Sequence, residues 1–177
     1  MFILAVAGIL LIFYPPTDVI PKLKQIISDS YDRTRVSVPN FGSREVSVVS
    51  LGMTLRATSN RDGQAYPSCA PPRQCLYVMG IGVSSPLRGF RVDDIIVAVN
   101  DPSNCRKTGG GQAEIRNAPD AAKETFPVTP VRDSVARLIG IAQGNPLRNR
   151  VCATVIRSDK IVEVSVSRKP SRPSPRD

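Results

Sequence analysis

The sequence contains no histidine and no tryptophan, and aromatic residues make up only 5% of it. Without histidine, the Ser-His-Asp and Cys-His arrangements of many hydrolases are excluded, and a catalytic zinc site would be unusual. Serine–lysine and aspartyl mechanisms stay open. No two cysteines have the Cys-x-x-Cys spacing of a zinc ribbon or a thioredoxin-type centre. We therefore predict no metal site and no cofactor.

The chain has 177 residues and a formal net charge of +9, with 41% hydrophobic residues. This length allows one ordinary domain with appendages, and the hydrophobic content is enough for a core. The positive charge suits nucleic acid, anionic lipid or acidic protein surfaces. Proteins that bind nucleic acid usually interleave aromatic residues with basic ones, a pattern that is absent here. We interpret the charge as a solubility feature and predict no specific nucleic acid partner.

The four cysteines are Cys69, Cys75, Cys105 and Cys152. An even number in a chain with an export-like start favours disulfides. Three pairings are possible, and four buried free thiols are the alternative. The short loop between Cys69 and Cys75 is the easiest to close, which would leave Cys105 with Cys152.

The first 14 residues are uncharged and almost entirely apolar, and the first charge is Asp18. The segment is shorter than the roughly 20 residues that span a bilayer, and it lacks both a basic start and a small-x-small cleavage site. We predict a single-pass anchor over residues 1–17, with a buried helix or a misassigned start codon as alternatives. Lys22 and Lys24 favour a domain on the cytoplasmic side of the membrane. The cysteines favour the exported side, periplasmic or extracellular, and we prefer this orientation.

The next segment, residues 18–44, begins with apolar residues at helical spacing and continues as a connector. The apolar residues are Ile20, Leu23, Ile26 and Ile27. This spacing predicts a short amphipathic helix that lies along the membrane surface or packs on the domain.

From Glu45 the pattern changes to strands and one clear helix. β-branched runs predict strands from Glu45 to Thr58, from Cys75 to Val83, and over DDIIVAVN, while residues 101–128 form a long insertion with a flexible glycine run at 109–111. A helix is predicted over Thr129–Ala142, with Thr129 as its cap and Gly144 at its end. A hairpin that bends at Ser158 and Asp159 follows, and residues 169–177 read as a disordered basic tail.

Two segments resemble bacterial PDZ domains. In SPLRGFRVDDIIVAVN, residues such as Ser85, Gly89 and Asp94 match the family's "SPA…GL..GD.I..VN", although Asp93 replaces a glycine. The helix and hairpin of residues 131–168 resemble the end of the domain. The resemblance implies an α+β, mainly β fold: a partly open barrel or sandwich of five to six strands with one main helix, over residues 45–168. The Gly89 and Asp94 positions would then serve the scaffold.

PDZ domains bind the extended C-terminus of a partner as an added strand beside the helix. By similarity, nine residues would form the peptide site: Ser50, Leu51, Gly52, Met53, Thr54, Leu55, Val135, Leu138 and Ile139. The segment is similar to the PDZ domains of high-temperature-requirement serine proteases and of the type II secretion C component. The implied protein is a non-catalytic, membrane-anchored module that binds a protein or peptide C-terminus, in envelope assembly, secretion or quality control, with a homo-oligomer or a larger envelope complex as possible assemblies.

Two other functions stay open. One is a structural envelope subunit that has the same fold but uses no peptide groove. The other is a signal-peptidase-like protease, in which Ser84 or Ser85 would need a lysine partner. Lys107 and Lys123 lie in unsuitable sequence for that role.

Overall fold

The computed structural model describes residues 23, 24, 26–28, 30, 37–41, 44–100, 120–146 and 150–170. Within these ranges the chain forms nine strands and one main helix. The strands are β1 Glu45–Val48, β2 Met53–Thr58, β3 Asn60–Arg61, β4 Gln64–Ala65, β5 Cys75–Ile81, β6 Leu87–Arg88, β7 Ile95–Asn100, β8 Arg150–Arg157 and β9 Lys160–Arg168, and the helix α1 is Val131–Ala142. Two 3-10 turns, Val49–Leu51 and Pro67–Cys69, complete the described elements.

Seven of the strands form one curled, half-barrel sheet in the order β1-β2-β5-β7-β8-β9-β6, and β3 pairs with β4 separately. The prediction of a mainly β fold with one main helix is therefore confirmed. The sheet exceeds the five or six strands expected because the short strands β1 and β6 extend its two edges. Each neighbouring pair in the sheet is antiparallel.

Strand β7 is buried on both faces, as a nearly continuous apolar run predicts. Successive side chains of a strand point to opposite faces, so Ile96 and Ile95 belong to two different clusters. The helix-side cluster, which α1 covers, consists of Val48, Leu51, Met53, Leu55, Leu76, Val78, Leu87, Ile96, Val99, Val135, Leu138, Ile139, Ile141, Ala142, Val151, Ala153, Val155, Val162, Val164 and Val166. The loop-side cluster consists of Tyr66, Cys69, Cys75, Ile95, Val97, Ala121, Ile156 and Ile161.

Helix α1 ends as predicted but begins differently. Gly144 has φ +80 and donates its N–H to Ile141 O at 3.0 Å, which closes the helix in a left-handed turn. The predicted cap by Thr129 is wrong, because Pro130 takes the cap position and no side-chain cap bond forms. Thr129 instead joins the sheet: its Oγ1 accepts the Val99 N–H at 3.2 Å.

The β8–β9 hairpin and one disulfide agree with the sequence. Ser158 and Asp159 both have positive φ, of 49 and 61, as a two-residue hairpin turn requires. Cys69 and Cys75 are joined by a disulfide with a Cα–Cα distance of 5.3 Å. Cys152 is also disulfide-bonded, and the predicted pairing with Cys105 involves a residue outside the described ranges.

The described part of the N-terminal segment is helical, at residues 23, 24, 26–28 and 30. Leu23, Ile26 and Ile27 are all at least half exposed, while Ser28 is buried and accepts a 3.3 Å hydrogen bond from Asn145 Nδ2. This segment therefore contacts the domain through Ser28.

None of the helices in the described ranges is long and apolar enough to cross a membrane. The predicted anchor at residues 1–17, the glycine run at 109–111 and the tail beyond residue 170 lie outside those ranges.

Candidate peptide-binding groove

The predicted groove residues lie in one continuous segment, from the first 3-10 turn into β2, and on α1. Ser50 and Leu51 lie in the 3-10 turn, Gly52 follows it, and Met53–Leu55 open β2, while the remaining three residues lie on α1. Helix α1 contacts the 3-10 turn. The structure brings the six apolar members together in the helix-side cluster: Leu51, Met53, Leu55, Val135, Leu138 and Ile139. Each of the six is at most 3% exposed, so these side chains belong to the buried core and present no open pocket.

The turn before β2 is fixed by bonds to the loop that follows β5. Gly52 has φ +59, and a Cβ there would lie 2.8 Å from Ser85 Cα, so this position requires glycine. Gly52 O accepts the Gly82 N–H at 2.8 Å, and the Ser85 hydroxyl donates to Leu51 O at 2.7 Å. The two loops therefore hold the start of β2 in one position.

The outer edge of β2 is already paired with another strand. β1 runs antiparallel along it, with Glu45 opposite Arg56 and Val48 opposite Met53. The Ser47 and Thr54 hydroxyl oxygens lie 3.3 Å apart across this pair. Since β5 pairs with the other edge of β2, both edges of β2 are occupied.

The resemblance assigns the backbone N–H groups of Ser50–Met53 to a peptide carboxylate, and one of them is already occupied. Gly52 N donates to Val49 O at 3.0 Å, within the 3-10 turn itself. A backbone carbonyl of the chain thus stands where the terminal carboxylate of a bound peptide would accept its hydrogen bond.

The chain that leads into β1 lies against the start of α1. Val38 and Phe41 are partly buried against the helix-side cluster. A cavity of about 320 Å³ lies between residues 38–41 and the first turn of α1, where it is lined by Val131 and Arg132. The segment from Val38 to Val48 therefore passes from the start of α1 to the turn that precedes β2.

The scaffold roles predicted for Gly89 and Asp94 match the geometry. Gly89 has φ +112, and a Cβ there would lie 2.5 Å from Ser165 O. Asp94 is fully buried; its carboxylate accepts the Arg91 N–H at 2.8 Å and two hydrogen bonds from Arg157 at 2.7 Å each. Because a buried carboxylate needs such partners, this ion pair ties the loop before β7 to strand β8.

Asp93, which stands where the PDZ resemblance expects a glycine, adopts a glycine-like conformation. Asp93 has φ +73, a region that asparagine and aspartate tolerate better than other non-glycine residues. Tyr77 Oη donates to Asp93 Oδ1 at 2.6 Å, and Arg61 Nη1 donates to Asp93 O at 3.1 Å. The hydrogen bond to Asp93 raises the pKa of Tyr77. Sequence reasoning missed these contacts, although the unusual aspartate was a signal that something must stabilise it.

The residues of the alternative protease reading are not assembled in the described ranges. Ser85 is 1% exposed and donates its hydroxyl to the backbone, whereas Ser84 is exposed. Lys123 lies 3.2 Å from Asp120 Oδ2, and Lys107 falls outside the described residues. Likewise, no group of three or more potential metal-ligating side chains occurs in the part of the chain that the structure describes.

Comparison with known proteins adds no family to this picture. No protein-family model matches the chain, and no curated protein or solved structure matches it significantly.

Proposed function

We propose that the chain is a membrane-anchored, non-catalytic binding module of the PDZ type, which recognises the C-terminus or an extended segment of a protein partner. Its setting would be an envelope assembly, secretion or quality-control system. The observation that supports this most directly is the strand β1 held on the outer edge of β2, next to the turn at Gly52. An edge that accepts one extended segment in antiparallel register can accept another, because the hydrogen bonds involve only backbone groups.

The arrangement of α1 supports the same proposal. Its residues Val135 and Leu138 lie in one cluster with Val48, the last residue of the extended segment. A partner residue placed where Val48 now lies would therefore join the cluster that contains the helix side chains named from the sequence. An apolar final residue suits this environment, since a buried polar group without a partner would be destabilising.

The experiment is a binding screen with the full-length chain in lipid nanodiscs, against a library of peptides with free C-termini. We expect enrichment of peptides that end in an apolar residue and loss of binding when the same peptides are amidated. A folded chain that enriches no peptide would argue against the proposal.

Two core variants provide a matched control for that screen. Leu138 and Ile141 lie on the same helix and are 0% and 1% exposed, but only Leu138 was assigned to the groove. Leu138→Ala and Ile141→Ala should destabilise the fold to a similar extent, whereas Leu138→Ala should weaken peptide binding more. Equal effects on binding would mean that the peptide does not contact α1 at Leu138.

The filled edge of β2 also favours a second candidate, a structural envelope subunit without peptide binding. If β1 never leaves β2, the sheet offers no groove and the module would act through its surfaces. In that case the peptide screen finds nothing, while crosslinking of the full chain in its native membrane still captures a specific assembly.

A further inference from the structure

The strand β1 has the direction, register and burial expected of a bound peptide. It is antiparallel to β2, and its last residue, Val48, lies opposite Met53 at the Gly52 turn. In the PDZ binding mode a partner's C-terminus points to this same turn. We infer that Glu45–Val48 is an internal ligand that occupies the groove and excludes the partner until it is displaced. This inference rests on the function proposed above.

Mutual exclusion follows from the hydrogen-bonding geometry. One edge of a strand provides a single row of N–H and C=O groups, and β1 pairs with that row at four consecutive positions. The other edge of β2 is taken by β5. A partner strand therefore joins β2 at this edge only by replacing β1.

The burial pattern of β1 indicates which ligand chemistry the groove accepts. Val48 is 4% exposed, and Val46 is partly buried against the helix-side cluster, whereas Glu45 and Ser47 are exposed. Alternate residues of a strand face opposite sides, so the two valines are those that meet the domain. The groove thus fits an extended peptide with small, β-branched apolar residues at its last position and two positions before it.

The short connection between β1 and β2 explains why an internal ligand would occupy the groove when no partner is bound. Val48 is joined to β2 through only four residues, so its effective concentration at the groove is high compared with that of a separate peptide. The apparent affinity for a partner is then reduced by the fraction of chains in which β1 is displaced. A change that releases β1 should raise the apparent affinity by the same factor.

The probe is the labelled peptide Arg-Glu-Val-Ser-Val with a free C-terminus, which copies residues 44–48. Three full-length proteins are compared under oxidising conditions by fluorescence anisotropy. Val48→Asp places a charge at a buried position and should expel β1, because an unpaired buried carboxylate is strongly unfavourable. Val83→Asp is the control, since it introduces the same charge at a valine that is fully exposed. The third protein is the wild type.

A crosslinked variant provides the opposite perturbation. Ser47→Cys/Thr54→Cys places two cysteines at directly facing positions of β1 and β2, where the native hydroxyl oxygens are 3.3 Å apart. Oxidation should lock β1 onto β2. Ser47→Cys alone serves as the control for the loss of the serine.

The inference predicts that Val48→Asp binds the peptide at least about tenfold more tightly than the wild type and Val83→Asp. The locked variant should show no binding. Equal binding by the wild type and the locked variant would overturn the internal-ligand inference but keep a peptide-binding function, with the peptide bound elsewhere.

Two further outcomes are decisive. No binding by Val48→Asp, when hydrogen exchange shows that the β2 amides have become exposed, would reject the proposed function itself. Should Val48→Asp fail to fold, the locked variant decides alone: loss of the wild-type binding supports the inference, and retention overturns it.

Discussion

The two faces of the sheet share strands β7, β8 and β9 but are closed in different ways. On the loop side, two links fix the loop that covers the cluster. They are the Cys69–Cys75 disulfide and the 2.8 Å hydrogen bond from Tyr66 Oη to Asp159 Oδ1. On the helix side, α1 and the short strand β1 complete the cluster without a covalent link among the described residues.

If β1 is an internal ligand, this difference separates a cover that stays in place from one that a partner can exchange. The loop-side bonds depend on particular side chains, so no other segment can replace them. The pairing of β1 with β2 depends on backbone groups that every extended peptide has, together with two apolar side chains. Exchange with a partner is therefore expected on the helix side alone.

The largest expected effects come from Ile95 and Ile96, adjacent residues that point to opposite faces and are 0% and 2% exposed. Ile95→Ala and Ile96→Ala should each lower the free energy of unfolding by about 2–5 kcal/mol in denaturant titrations. Only Ile96→Ala should speed hydrogen exchange of the β1 amides, because only it lies in the same cluster as Val48. If Ile95→Ala loosened β1 equally, the two faces would not be independent.

The disulfide gives the next largest effect. Its two cysteines are separated by six positions in the sequence, so the disulfide closes a short loop. Cys69→Ala/Cys75→Ala opens this loop and should lower the free energy of unfolding by about 2 kcal/mol. When the double cysteine variant is combined with Ile96→Ala, the two losses of stability should add. When it is combined with Ile95→Ala they should not add, because Cys75 and Ile95 share a cluster. Additivity in both double-mutant cycles would contradict the contact between the disulfide and β7.

Tyr66→Phe tests the loop side at high pH. Burial, then the hydrogen bond to Asp159, raises the pKa of Tyr66 to about 12 from its ordinary 10.0. The stabilisation from the neutral hydroxyl is complete below pH 10 and is lost as the pH rises towards 12, because the unfolded chain releases its proton first. Tyr66→Phe should be about 1 kcal/mol less stable than the wild type at neutral pH. Its free energy of unfolding should also fall less steeply across that pH window. Parallel curves for the two proteins would exclude this role for Tyr66.

The smallest effect concerns Asp120, which is next to Ala121 of the loop-side cluster. The Ala122 N–H, and then Lys123, lower the pKa of Asp120. A carboxylate with a lowered pKa contributes stability above its ordinary pKa, and this is lost as the pH falls through the lowered value. In Lys123→Ala, an NMR titration of Asp120 should show a pKa closer to the ordinary value, though still below it. An unchanged pKa would mean that the 3.2 Å contact with Lys123 has no electrostatic effect.

Local patterns in the sequence were sufficient for several parts of the fold. The end of α1 at Gly144 and the Ser158–Asp159 hairpin turn depend on residues close to one another in the chain. Helical spacing places Val131, Val135, Leu138 and Ala142 on one side of α1. The structure buries the last three, and it also buries Ile139 and Ile141, which lie outside that stripe.

The division of the first strand could not be predicted in the same way. The β-branched pattern of residues 45–58 does not show where one strand ends, and only the resemblance placed a loop near Ser50–Met53; in the structure the backbone turns at Val49–Leu51 and doubles back. Gly52 is the only glycine in that run, and its left-handed conformation depends on the loop around Ser85, far away in the sequence. The nine residues assigned to the peptide site lie in the turn before β2, at the start of β2 and in α1, but the pairing of β1 with β2 was not predicted.

The contact between Ser28 and Asn145 has a mechanical consequence. Asn145 lies just beyond the end of α1, whereas residues 38–41 lie against its first turn. The chain is therefore attached to the helix near both ends before it reaches β1. A force applied upstream of Leu23 would therefore reach these two contacts one after the other, and it would reach β1 last.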